Sequence, residues 1–293
     1  MKPTRANYKI LKGDCRNILK RLPENSVDLI ATDPPYFIHG MGDDWSDKKL
    51  RDGKERGSAI GGLPVGMKFD PEQGLRLETF MTEVAVEARR ILKPGAFFLA
   101  FSQPRLSHRM AIALENAGFE IRDQLIWEHQ GGQGKAFSQD HFVEKMDIDV
   151  SAKAEIRARL AGRKTPQLRP KFETIILAQN PREGTFVENF MAWDTGLVDL
   201  DFDPRPTTVF AFDKPKREKT IDHMTVKPVE LMERLIEVFS VEGQTVLDPF
   251  LGSGTTGVAA AKTGRGFIGI ELEPRYVKMA TKRISQTYGE GEA

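Results

Sequence analysis

Residues 245–274 read "TVLDPFLGSGTTGVAAAKTGRGFIGIELEP". Thr245-Val246-Leu247 is a short buried strand running out at Asp248. Gly252-Ser253-Gly254 form a tight turn, and residues 255–262 carry a helix pattern. Phe267 to Ile270 is a second strand, followed at once by Glu271. A glycine turn between strand and helix lets backbone approach a ligand closely. An acid at the tip of the next strand can accept hydrogen bonds from both hydroxyls of a ribose. The glycines alone fit a plain βα turn equally well. Asp248 and Glu271 at the two strand tips favour a nucleoside site. Gly252, Gly254 and Gly257 follow an Asp248-Pro249-Phe250 lead that dehydrogenases do not usually show.

Working back toward the N-terminus, strand and helix signals alternate. Tyr8 to Leu11 reads as a strand, Gly13-Asp14-Cys15 as a turn, and Ile18, Leu19 and Leu22 sit at helical spacing. Val27 to Thr32 is a continuously apolar strand of the kind buried on both faces. Residues 37–73 are polar, glycine-rich and mixed in charge, which predicts a long mobile loop. Leu77, Phe80, Met81, Val84, Ala85, Ala88, Ile91 and Leu92 repeat with the i, i+3, i+4 period of an amphipathic helix. Lys93-Pro94-Gly95 should stop it. Strands are expected at 96–101, 121–127 and 174–178. Helices are expected at 104–117, from Lys227-Pro228 through Phe239, and at 274–284. Residues 128–169 and 181–220 lose periodicity. Strands alternating with helices at both ends argue for one parallel, doubly wound α/β sheet with an inserted middle.

Composition narrows the class. The chain has 293 residues, of which 40% are hydrophobic, enough for a sizeable core. No run of about 18 apolar residues occurs, so no membrane span is expected. Met1 to Arg5 does not read as a signal sequence. Cys15 is the only cysteine, which fits a reducing cytoplasm. Five scattered histidines with one cysteine give no zinc spacing, and no metal site is expected. A net charge of +1 means that a polyanion must be met by local patches.

A second stretch, Asp33-Pro34-Pro35-Tyr36, ends the buried strand 27–32. One proline is enough for a turn. Two fix φ twice, and each pushes the residue before it into an extended conformation. The tetrapeptide therefore displays a carboxylate and a carbonyl in a nearly preset geometry, followed by an aromatic ring.

Asp33-Pro34-Pro35-Tyr36 followed much later by Phe250-Leu251-Gly252-Ser253-Gly254 resembles the DNA amino-methyltransferases, and the motif order resembles their β class. Gly13-Asp14, Ile91 to Gly95, Ile126-Trp127, Glu173 to Leu177 and Lys227 to Leu231 are similar to further family segments in the same order. The chain has His223-Met224-Thr225-Val226-Lys227-Pro228 where the family often has His-Pro-Thr-Gln-Lys-Pro. It has His129 where a lysine often follows the tryptophan.

The resemblance implies a Rossmann-like methyltransferase sheet with circularly permuted motif order. The catalytic and cofactor-binding unit would comprise 1–129, 170–181 and 221–293, with 130–169 and 182–220 inserted for target recognition. It implies S-adenosylmethionine as cofactor and double-stranded DNA as substrate, with the target base flipped out of the stack. Asp33 and the Pro34 carbonyl would accept the two hydrogens of an exocyclic amine and localise its lone pair. Tyr36 would stack on the base, and Pro35 would stiffen the display. Glu271 would hold the ribose and Asp14 the adenine end of the cofactor, beside Cys15. Phe250, Gly252 and Gly254 would line the turn, with Asp248, Ser253, Thr255 and Lys227 toward the methionine end.

Plainer readings compete at three of these positions: Asp14 is also a good helix N-cap, Lys227 also reads as a solvated lysine before a proline helix start, and for Cys15 the buried-hydrophobe reading outweighs a cofactor contact. An Asp at position 33 points to adenine N6; cytosine-N4 enzymes of the group more often carry Ser. An RNA or protein substrate and a non-catalytic nucleic-acid binder are the competing classes. Arg157, Arg159, Arg163, Lys164, Arg169 and Lys171 form a run without acids, read as a phosphate-contact surface rather than a merely solvated face. Lys214, Lys216, Arg217 and Lys219 form a second group. The resemblance also leaves room for a cognate restriction endonuclease and for a homodimer.

Overall fold

The computed structural model describes residues 8–35, 71–130, 136–166, 168–215 and 226–288. Tyr36, loop residues 37–70, and Lys216, Arg217 and Lys219 lie outside the described residues.

Among the described residues, eight strands form one sheet: β1 (Tyr8–Lys12), β2 (Val27–Thr32), β3 (Leu92–Ser102), β4 (Glu120–Glu128), β5 (Phe172–Gln179), β6 (Val209–Ala211), β7 (Thr245–Asp248) and β8 (Gly266–Glu271). Their spatial order is β1-β8-β7-β2-β3-β5-β4-β6. Five of the seven pairings are parallel; β5 alone runs against both of its neighbours. The expected mostly parallel, doubly wound sheet is what forms.

The helices are α1 (Cys15–Leu19), α2 (Gln73–Ile91), α3 (Ser107–Asn116), α4 (Asp140–Glu144), α5 (Val150–Leu160), α6 (Phe186–Trp193), α7 (Val229–Phe239), α8 (Thr255–Lys262) and α9 (Pro274–Tyr288). One core joins α1, α2 and α3 to one face of the sheet through Leu19, Leu77, Met81, Met110 and Phe98. The other joins α7, α8 and α9 to the opposite face through Leu235, Ile236, Ala259, Ala280 and Phe101. All six residues of β2 are buried, as a central strand covered on both faces requires. The α7 stripe buries Leu231, Met232, Leu235, Ile236, Val238 and Phe239. Truncating one such leucine to Ala typically removes about 2–5 kcal/mol.

Three differences from the sequence expectation have local causes. The helix α2 ends at Ile91, just before Lys93-Pro94-Gly95 as expected, but β3 begins at Leu92 rather than at 96 and runs through these three residues. Pro94 supplies no N–H, but its carbonyl accepts from Asn189 Nδ2 at 3.1 Å and Thr195 Oγ1 at 2.5 Å. Gly95 has φ +77, and a Cβ there would meet the Asn189 amide. Asn189 sits on α6, so a stretch expected to be irregular supplies a helix that closes the start of β3. Its sequence signal is the capping box Thr185-x-x-Glu188, which the structure forms in full. Finally, the helix expected over 104–117 opens with a 3₁₀ turn at Pro104–Leu106 before α3.

Candidate active site

The carboxyl edge of the sheet gathers the acidic strand tips. The chain leaves β2 toward β3 on one side and β7 toward β8 on the other, so β2 and β7 flank a topological switch point, where such sheets bind ligands. Asp33 follows β2 and Asp248 ends β7. Glu271 ends β8, and Asp14 follows β1.

The β1–β8–β7 side is held by backbone groups and hydroxyls. Gly252 N–H donates to Glu271 Oε2 at 2.8 Å, and Glu273 N–H donates to Oε1 at 2.8 Å. Burial raises the Glu271 carboxyl above its usual range, against the pull of these N–H groups. A carboxylate offers about four acceptor positions, so each oxygen keeps capacity for a ribose hydroxyl. Gly13 N–H donates to the Glu271 carbonyl at 2.9 Å, which sets the β1 tip beside it.

Asp248 is 3% exposed and accepts from Thr32 Oγ1 (2.6 Å), Thr256 Oγ1 (2.6 Å) and Phe250 N–H (3.0 Å). It ties β2, β7 and the start of α8 together. Burial is the main cause that pushes its carboxyl up to about 6; the three donors oppose this, and the nearby Asp33 charge adds to it.

The glycine turn has two jobs. Gly252 (φ +51) presents its N–H to Glu271. Gly254 (φ +83) packs on α9, where an added Cβ would lie 2.9 Å from the Ala280 Cβ. Ser253 and Thr255 are buried within the turn, their hydroxyls 3.2 Å apart. Arg283 Nη1 donates to the Ser253 carbonyl at 2.5 Å. The Phe250 ring lies 5.8 Å from that of Phe80 on α2, over which the Arg16 guanidinium sits.

Asp14 caps α1, accepting from Arg16 N–H at 2.9 Å, and the Arg16 guanidinium lies 2.7 Å from its carboxylate. That contact is the main cause holding the Asp14 carboxyl below its usual range. Cys15 is buried in the core with Leu19 and Leu77, and desolvation pushes its thiol up to about 12.

The β2–β3–β5–β4 side is built from charge. Lys227, just before α7, is 7% exposed. Its Nζ pairs with Asp33 Oδ2 and lies 3.2 Å from Glu173 Oε2. The ammonium sits over the rings of Phe101 (4.9 Å) and Trp127 (5.9 Å). Lys227 was expected near the methionine end of the cofactor; its contacts in the structure are with Asp33, Glu173, Phe101 and Trp127.

Glu173 reaches this edge because β5 is reversed: Thr174 pairs with Ser102 at the end of β3, so the start of β5 lies at the carboxyl edge. Its other oxygen faces Lys214 at 3.6 Å. Burial raises the Glu173 carboxyl, and the charges of Lys227, Lys214 and His129 outweigh it, for a net lowering. His129 is buried edge-on to Trp127, with ring centroids 5.1 Å apart. Sequence reading did not single out Glu173, because nothing in an apolar run reveals the direction of a strand.

A family model for DNA methylases, named for N6 and N4 methyltransferases, matches residues 27–282. The chain belongs to this DNA methylase family.

The Haemophilus influenzae type II methyltransferase M.HindIII is 28% identical to this methylase over 91% of each chain. The crystal structure of M1.HpyAVI in complex with S-adenosylmethionine, 21% identical, superposes with a TM-score of 0.56 over 94% of this chain and 99% of its own. PvuII DNA methyltransferase, described as cytosine-N4-specific, is 16% identical with a TM-score of 0.62 over 97% and 92%. The likeness to these two structures establishes the Rossmann-like methyltransferase fold.

The basic run of the methylase occupies an outer layer. Arg157 and Arg159 lie in the last turn of α5, a helix with no buried residue, and Arg157 pairs with Glu144. Arg163 and Lys164 are exposed. Arg169 donates to the Gln130 carbonyl at 3.2 Å and Lys171 to its side-chain oxygen at 3.0 Å. Arg169 and Lys171 therefore flank the exit of β4 and the entry of β5, on the Glu173 side of Asp33. Among the described residues no helix is long and apolar enough to cross a membrane, and no cluster of His, Cys, Asp or Glu could hold a metal ion.

Proposed function

We propose that this methylase transfers a methyl group from S-adenosylmethionine to the N6 amine of an adenine flipped out of duplex DNA. The observation that carries the reading is the placement of Asp33 beside a nucleoside-type turn at the switch point of a DNA methylase sheet.

The residues present fit the cofactor. The N–H-oriented Glu271 would accept from the ribose hydroxyls, Asp14 on the neighbouring tip would meet the adenine end, and the 250–255 turn would line the rest. When bound, S-adenosylmethionine supplies a methyl group on a sulfonium, already activated for displacement.

The protein's own task is the amine, whose lone pair is delocalised into the base. Asp33 and the Pro34 carbonyl would accept its hydrogens and favour a tetrahedral nitrogen. Pro34 and Pro35 hold both acceptors still, and such orientation is worth about 7–11 kcal/mol in favourable cases. Tyr36 would stack on the base. The basic residues 157–171 would contact phosphates, and the segments 130–169 and 182–220 would read the site. Asp at position 33 supports adenine over cytosine. The type II methyltransferase names of relatives support a place in restriction and modification.

The test incubates purified protein with labelled S-adenosylmethionine and DNA and identifies the modified base. Asp33→Ala should lose transfer, by about 100-fold or more, while cofactor affinity stays within about twofold of the parent, well under 1 kcal/mol. Label as N4-methylcytosine would overturn the base assignment. Label in RNA or protein but not in DNA would overturn the substrate.

A further inference from the structure

We infer that Lys227 is a positioning residue for Asp33, locked in place by Glu173 on the reversed strand. This rests on the reading of Asp33 as the group that accepts the amine hydrogens.

Four charged side chains alternate in sign from the centre of the edge outward: Asp33, Lys227, Glu173, Lys214. Lys227 is the joint. Its ammonium has three donors and no acceptor, and two carboxylates from separate strands face it. A buried ammonium left alone would be strongly unfavourable. Here burial is the largest influence and acts to lower the lysine's pKa, but Asp33 and Glu173 together outweigh it and raise it. The group therefore stays charged.

A single ion pair would not fix Asp33, because a lysine stem is flexible. Three features remove that freedom. The stem leaves the chain next to Pro228, the N-cap of a helix anchored in the core. The ammonium sits over the faces of Phe101 and Trp127, two side chains that are themselves almost fully buried. Glu173 holds the ammonium from a second strand, and its backbone is fixed by pairing with Trp127 of β4. With Nζ fixed, the plane of the Asp33 carboxylate is fixed through Oδ2. The direction of its lone pairs then no longer depends on the substrate's arrival. Among the described residues, Asp248 on β7 also acts on Asp33's surroundings, its carboxylate engaged by Thr32, Thr256 and Phe250, and His129 after β4 acts on Glu173. Neither can substitute for the ammonium.

The test compares Lys227→Met and Glu173→Gln with the parent, using single-turnover methylation of DNA, S-adenosylmethionine affinity by calorimetry, and thermal unfolding. Lys227→Met should lower the single-turnover rate about 100-fold, the usual consequence of a misplaced reacting group, while cofactor affinity stays within about twofold. Glu173→Gln should lower the rate about tenfold, and the double variant should be no slower than Lys227→Met, because the two act through one contact. A purely structural ion pair would change the unfolding temperature without this pattern in the rate. A folded Lys227→Met with the parent's rate overturns the inference. So does an equal loss of cofactor affinity, which would return Lys227 to the cofactor turn. If Lys227→Met does not fold, an unchanged rate in Glu173→Gln overturns it. A parent protein that methylates no DNA overturns the functional reading and this inference with it; an active parent with an indifferent Lys227 overturns this inference alone.

Discussion

At the β1–β8–β7 end of the site, Asp248 and Glu271 are held by hydroxyls and backbone N–H groups, and among the described residues neither forms an ion pair. At the β2–β5 end, Asp33 and Glu173 share the ammonium of Lys227. The two ends therefore present different charge to a ligand. The first keeps buried negative charge uncompensated, which suits a donor carrying a sulfonium and an ammonium. The second has its charge largely offset by a buried cation, which suits an uncharged base that needs oriented acceptors. A pair of carboxylates can thus be tuned either to attract a cation or to aim lone pairs, according to whether the fold supplies dipoles or a lysine.

The largest expected effect tests whether Asp248 is uncompensated. Its folded carboxyl titrates at about 6, above the ordinary 3.8, with burial as the main cause. Below the ordinary value both folded and unfolded forms are protonated and burial is harmless. As pH rises from about 4 to about 6, the unfolded chain releases the proton first, so stability falls through that window and stays lower above it. The loss should be about 3 kcal/mol. Denaturant unfolding of the parent and of Asp248→Asn at pH 4 and pH 7 isolates it, since the variant's amide does not titrate. A difference that does not change with pH would mean that a cation compensates Asp248 after all, and the contrast between the two ends would fail.

Next in size is Glu271→Gln. It removes the charge and turns one acceptor into a donor facing a backbone N–H. Cofactor affinity should fall by about 10- to 100-fold, the usual range for a hydrogen bond to a charged group, with KM for DNA nearly unchanged. Cofactor binding that survives intact would place the nucleoside elsewhere along the edge.

The two ends also differed in how far the sequence exposed them. The glycine-turn end was legible because its parts are local: a strand, a glycine turn, a helix and an acid lie within residues 245–271, and each follows from turn chemistry or periodicity. Asp33 was legible for the same reason, as a strand tip fixed by two prolines. The partners of Asp33 were not. Lys227 lies 194 positions away, and Glu173 reaches it only because β5 is antiparallel, which its run of Thr174 to Ala178 does not disclose. The helix stop was legible, but the early start of β3 was not: Pro94-Gly95 joins a strand only when something else satisfies the backbone, and Asn189 on α6 does so from far along the chain. Local signals thus placed the elements and their tips; what joins the tips depends on strand direction and on long-range polar contacts.

The smallest effect expected is at the outer end of the charge chain. Lys214 Nζ lies 3.6 Å from Glu173 Oε1, at the limit of an ion pair, and its side chain is 42% exposed. Solvent screens such a contact, and pairs of this kind contribute about 0–1 kcal/mol. Its ammonium also lies 5.6 Å from the Trp127 ring, the same indole that the Lys227 ammonium approaches to 5.9 Å. Lys214→Met keeps most of the stem that packs on the indole and removes only the charge. Its single-turnover rate should therefore change by less than about threefold, below 1 kcal/mol, and that change should fade by roughly 1 M salt, where the Debye length of about 3 Å is shorter than the pair. Affinity for DNA is a separate readout: if Lys214 touches phosphate, the variant should reduce the salt dependence of binding by about one counterion. A rate loss as large as that of Lys227→Met would show that the two lysines are equivalent, and that the β2–β5 end is set by the number of cations around Glu173 rather than by the buried ammonium that fixes Asp33.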